Sequence, residues 1–89
     1  MNKHTTHPDI VQRLKRAAGH LQKVVDMIED ERGCLETAQQ MQAVFNAIAN
    51  AKKKYVQDHI EHCIEVTEKL DKKHIARHIH ELKEITKYL

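Results

Sequence analysis

Three amphipathic stretches, separated by two polar breaks, hold most of the apolar residues of this chain. The first runs Ile10, Leu14, Ala17, Leu21, Val24 and Ile28. Its steps alternate between four and three, so one helical face is apolar with a heptad rhythm. Upstream, "THPD" reads as a helix start, with Thr6 as cap, Pro8 in the first turn and Asp9 three residues after Thr6. The stripe fades in the acidic "EDERG", where Gly33 is read as the helix terminator. The second stretch takes Leu35, Ala38, Met41, Phe45 and Ile48, with Val44 beside them. It continues through Tyr55, Val56, Ile60, Cys63, Ile64, Val66 and Leu70. Neither Gly nor Pro interrupts it, which predicts one helix of about nine or ten turns. After the polar "LDKKH", a shorter stripe of Ile75, Ile79, Leu82, Ile85 and Leu89 predicts a third helix. The pattern therefore predicts an all-α, three-helix chain with a long central helix, over about 7–31, 35–70 and 73–88, forming one domain across 1–89.

Composition supports this picture. Two Gly and one Pro leave few turns, and three aromatic residues leave a mostly aliphatic core. An 89-residue chain buries little surface, which favours oligomerisation or metal binding. No apolar run approaches a membrane span, and "MNKHTTHPD" lacks the apolar segment of a secretory signal. The expected location is the cytoplasm. In that reducing compartment, Cys34 and Cys63 suit metal binding or thiol chemistry better than a disulfide. No nucleophile with an adjacent base, paired carboxylates or phosphate-binding loop stands out, so an enzyme is not expected.

The net charge of +2 hides a segregation. Residues 1–23 carry five cations against Asp9, whereas residues 24–36 carry five acids against Arg32. Arg13, Arg16, His20 and Lys23 form a basic strip beside the first apolar stripe, and Lys52, Lys53 and Lys54 form a second cluster. Such groups neutralise phosphates in a largely sequence-independent way. Taken alone, both clusters read as solvated helix faces. A helix-turn-helix is rejected, because the central helix is far too long for that motif.

The chemistry concentrates in "DHIEHC", residues 58–63. His59 and Cys63 are four apart, which puts both on one helical face, close enough to share an ion. Thiolate with imidazole suits Cu(I) or Zn(II), and less readily Ni(II) or Co(II). Cys34 is the obvious third donor, but 25 helical residues span roughly 37 Å. The three donors cannot meet within one such helix; an antiparallel pair of central helices from two subunits would bring them together, twice in each twofold dimer. The plainer alternative is core packing for Cys63 and a hydrogen-bonded imidazole for His59. His62 lies about 100° around the helix from Cys63. His74, His78 and His80 read as solvated residues.

The segments "RLKRAAGHLQKVVDMIEDERGCLETAQQMQAVFNAI" and "DHIEHC" resemble the CsoR/RcnR family of small all-helical bacterial repressors. The resemblance covers roughly residues 7 to 70. It implies an antiparallel helical dimer, usually paired into a homotetramer, that binds operator DNA and is released by an inducer. The Cys-His-Cys ligand set of copper sensors matches Cys34, His59 and Cys63, and implies Cu(I). The family's DNA-contacting residues match Arg13, Arg16 and Lys53, which raises the basic strip above a solvated face. A third-helix Glu that supports the His ligand matches Glu81. Copper sensors commonly have an aromatic residue just before the first Cys, where this chain has Gly33.

Other inducers stay open. Nickel and cobalt sensors typically have His in place of Cys63 and add an N-terminal ligand, for which His4 and His7 are the nearest residues. Ni(II) is thus the alternative, with Zn(II) behind it. Persulfide sensors keep both cysteines without the His, and formaldehyde sensors lack the second cysteine. A metal buffer with no DNA role is the reading outside this class.

Overall fold

The computed structural model describes residues 7–67, 69 and 71–89. The chain is three helices: α1, His7–Glu29; α2, Cys34–Thr67; and α3, Lys72–Thr86. The expected cap Thr6, the N-terminal His4 and the stripe residue Leu70 lie outside the described residues. Among those described, no helix is long and apolar enough to cross a membrane.

The chain divides into two compact units. One is Pro8–Ala51; the other joins Lys52–Leu89 with the residues up to His7. In the first, α1 and the first half of α2 form a helical hairpin. Its buried residues are Ile10, Ala17 and Val24 on α1 and Thr37, Val44 and Ala51 on α2. Both series repeat every seven residues, so each helix turns one heptad seam inward. In antiparallel register, Val24 falls level with Thr37, Ala17 with Val44 and Ile10 with Ala51. A hydrogen bond from His20 Nε2 to Gln40 Oε1, 2.7 Å, fixes that register between the first two levels. His20 is thus a hairpin fastener as well as a member of the basic strip.

The expected α1 stripe splits in two. Ile10, Ala17 and Val24 are buried, whereas Leu14, Leu21 and Ile28 are 43%, 45% and 55% exposed. Val11, Val25, Met41, Phe45 and Ile48 are also exposed. One seam closes the hairpin, and a second apolar seam stays open.

The loop corrects the expected terminator. Glu31 N–H donates to the Ile28 carbonyl and Arg32 N–H to that of Met27, 3.1 and 2.9 Å. These bonds form a Schellman motif whose left-handed residue is Glu31, at φ 56°. Gly33 has no positive φ. Its carbonyl accepts from Thr37 N–H at 3.0 Å, which makes it the residue that opens α2. The physical reason is charge. Glu29, Asp30 and Glu31 crowd the negative end of the α1 dipole, and its last turn has no basic residue to offset them.

Among the described residues of the second unit, only Val56 and Cys63 are buried, and α3 contributes no fully buried residue. α3 begins at Asp71, whose side chain accepts from His74 N–H at 3.2 Å and from His74 Nδ1 at 2.7 Å. His74 is therefore part of a helix cap.

Candidate metal centre

Cys34 is the first residue of α2 and is exposed. Its neighbours Arg32 and Glu36 form an ion pair at 2.8 Å. The thiol borders an open, mainly apolar groove of about 770 Å³, lined also by Ile28, Thr37, Met41 and Phe45. The Thr37 hydroxyl is buried there with no hydrogen-bond partner among the described residues.

His59 and Cys63 lie one turn apart near the other end of α2, as their spacing predicts. Cys63 is buried at 3% exposure, and His59 is half-buried. His59 stacks on Tyr55 with centroids 6.4 Å apart, and Tyr55 stacks on His7 at 5.4 Å. The candidate N-terminal ligand His7 thus stands on the far side of Tyr55 from His59.

α3 completes the surroundings. Glu81 lines a shallow groove of about 460 Å³ together with His59, His80, Glu84, Ile85 and Tyr88. Burial pushes the Cys63 thiol above its ordinary pKa of 9.0, and the Glu81 carboxylate raises it further. Glu81 is therefore close to both residues of the pair. A thiol gives up its proton when it ligates a metal, and this environment makes that loss harder.

His78 was expected to be solvated and is not. It is half-buried, and its Nε2 lies 3.0 Å from the carbonyl oxygen of Cys63. The signal was available in the sequence: His78 stands three after Ile75 and four before Leu82, on the apolar stripe. Tyr55, four before His59, was legible in the same way as a neighbour on the same face.

Among the described residues, no three His, Cys, Asp or Glu side chains of one chain come together in a way that could hold a metal. Cys63 and His59 form a soft, partly buried pair suited to a thiophilic ion, but the pair alone is an incomplete donor set. The basic residues are exposed. Arg13 Nε donates to Asp9 Oδ2 at 2.8 Å, one turn back, with both side chains about half exposed. Arg16 and Lys52, Lys53 and Lys54 are exposed on their helices.

The family model described as "Metal-sensitive transcriptional repressor" matches residues 6–89. The chain belongs to this family. It is 34% identical over 55 residues to the copper-sensing transcriptional repressor CsoR of Bacillus subtilis (strain 168), covering 62% of this chain and 54% of that protein. It is 28% identical over 53 residues to the copper-sensing transcriptional repressor RicR of Mycobacterium tuberculosis (strain ATCC 25618 / H37Rv), covering 60% of this chain and 55% of that protein. The chain thus spans about half the length of the curated relatives it matches. Among solved structures, the nickel-responsive transcriptional regulator InrS superposes with a TM-score of 0.80 at 28% identity, covering 100% of this chain and 99% of that one. Membership places the chain among metal-sensing regulators. Its relatives respond to two different metals, so the inducer must be argued from the donors.

Proposed function

We propose that this chain is a copper-responsive repressor. Its metal-free oligomer binds operator DNA, and Cu(I) held at an intersubunit site releases it. The observation that carries the reading is the pair formed by His59 and the buried Cys63, with Glu81 lining the same groove as His59. Cys34 of one protomer would join His59 and Cys63 of its partner. Two thiolates and one imidazole are a soft donor set that favours Cu(I).

Oligomerisation is supported by the open apolar seam. Leu14, Leu21, Ile28, Met41 and Phe45 are too many exposed apolar residues for an isolated small chain, and Ile28, Met41 and Phe45 line the groove beside Cys34. Covering that groove with a second chain would bring another chain's residues to the exposed thiol. The family resemblance supports a dimer, paired into a tetramer, as that assembly. Arg13, Arg16 and Lys53 are the residues assigned to duplex phosphates, and Glu81 to orienting the His59 imidazole. The Arg13–Asp9 pair is exposed and weak enough to be exchanged for a phosphate contact. Metal and DNA binding must then oppose one another by the same factor, whichever binds first.

A second reading has its own support. His7 belongs to the same stack as His59, through Tyr55, and InrS, which is nickel-responsive, matches the whole chain. Ni(II) with an added N-terminal histidine is therefore the alternative inducer.

A DNA-binding titration repeated with Cu(I), Ni(II), Zn(II), persulfide and formaldehyde separates these readings. Release by Cu(I) alone, lost in Cys34→Ala, His59→Ala and Cys63→Ala, is the expected result. Mixed dimers of Cys34→Ala and Cys63→Ala chains should recover one site of two. A DNA complex that persists in saturating Cu(I), under anaerobic reducing conditions, would overturn it. Release by persulfide that survives His59→Ala would instead identify a thiol sensor.

A further inference from the structure

α3 half-buries Ile75, His78, Leu82 and Ile85. Spacings of three, four and three put them on one helical face. His78 is the polar member of an otherwise apolar stripe. A half-buried imidazole with no partner would oppose the docking of α3, because desolvating a polar group is costly unless a hydrogen bond replaces the lost water. The partner here is the main chain of Cys63, 3.0 Å from Nε2. A carbonyl only accepts, so Nε2 carries the proton and donates it. The carbonyl has two lone pairs and can take His78 in addition to a helical N–H.

We propose that His78 is a positioning residue that ties α3 to the Cys63 turn of α2, so that a shift of the Cys63 backbone is passed to α3 through this hydrogen bond. The consequence rests on the repressor reading, which makes Cys63 a residue that ligation displaces. Two features of α3 give the tie its leverage. One turn before His78, the Asp71 carboxylate holds both the main chain and the ring of His74, so the helix start is firmly capped. About one turn after His78, Glu81 lines the groove beside His59. The His78 bond thus sets the level at which Glu81 meets the candidate ligands. With no fully buried residue on α3, this hydrogen bond adds a directional contact to the half-buried packing of Ile75, Leu82 and Ile85.

Three variants test this. His78→Gln keeps an N–H donor of similar reach. His78→Leu keeps apolar bulk and loses the donor. His78→Asn has a donor on a shorter side chain and replaces the Leu variant should that one unfold. The first readout is amide hydrogen exchange of the metal-free protein. In His78→Leu, α3 amides should exchange roughly three- to tenfold faster, as expected for losing one neutral hydrogen bond. Amides of α1 should be unchanged, and His78→Gln should match the wild type. Equal α3 protection in all forms overturns the proposal, and so does equal loss in the Gln and Leu variants, which would make the role one of volume. The second readout is DNA affinity with and without Cu(I). His78→Leu should bind DNA normally when metal-free and show a Cu(I)-induced loss at least about threefold smaller than wild type. Wild type that ignores Cu(I) sinks the repressor reading and leaves the tie to be judged on hydrogen exchange. Wild type that responds, beside a Leu variant that responds equally, sinks the inference alone.

Discussion

The two units of this chain are held together by different means. The Pro8–Ala51 hairpin is a zipper: two heptad seams of buried residues, with His20 and Gln40 fixing the register. Among its described residues the Lys52–Leu89 unit buries only Val56 and Cys63, and it adds a cap, a carbonyl hydrogen bond and stacked rings. Apolar packing is non-directional and tolerant, so it suits a scaffold. Hydrogen bonds and stacking depend on geometry, so they suit the response to a bound ion that is proposed for this region. The candidate ligands His59 and Cys63 lie in the unit with the thinner core.

The sharpest way to break this contrast is truncation of core residues. Ile10→Ala, in the zipper, should cost about 3 kcal/mol in chemical denaturation at fixed protein concentration. Leu82→Ala, on half-buried α3, should cost only about 1 kcal/mol. Equal costs would remove the distinction. The next effect is alkaline. The pKa of Cys63 is raised in the folded state, so folding retains a proton that the unfolded chain gives up. Its contribution is full below the ordinary pKa of 9.0 and is lost as pH rises through the higher folded value. Stability should therefore fall above that ordinary value, by at most about 1.4 kcal/mol per pH unit. Cys63→Ala should abolish this component in a pH series of melts. Glu31→Gly should stabilise by about 1 kcal/mol, because Gly adopts the left-handed conformation without the side-chain penalty. A destabilised variant would show that the Glu31 side chain has a compensating role. The smallest effect is Arg13→Ala, at most about 0.5 kcal/mol for an exposed pair. The same variant should reduce the salt dependence of DNA binding by about one phosphate contact, which separates its functional weight from its structural one.

Much of this was legible in the sequence, and the gaps have physical causes. The three helices follow from stripe periodicity and scarce Gly. The long α2 follows from an uninterrupted pattern. The α1 stripe was correctly read as apolar, but periodicity cannot tell which seam closes within a chain and which waits for another. Gly33 drew attention as a terminator because glycine favours left-handed backbone. The acidic run ended the helix earlier and put Glu31 in that conformation. His59 and Cys63 share a face by spacing alone, whereas Cys34 lies at the far end of the same helix, beyond the reach of any single-chain argument. His78 was misjudged because its residue type was weighed above its position on the stripe.

The unequal exposure of the two thiols sets an order of arrival. Cys34 faces solvent, whereas Cys63 is enclosed, and that burial raises its own thiol pKa. An alkylating reagent, an oxidant or a metal carrier meeting the free chain therefore finds Cys34 first. A site built from both, as proposed, would join a thiol open to solvent to one that the fold encloses.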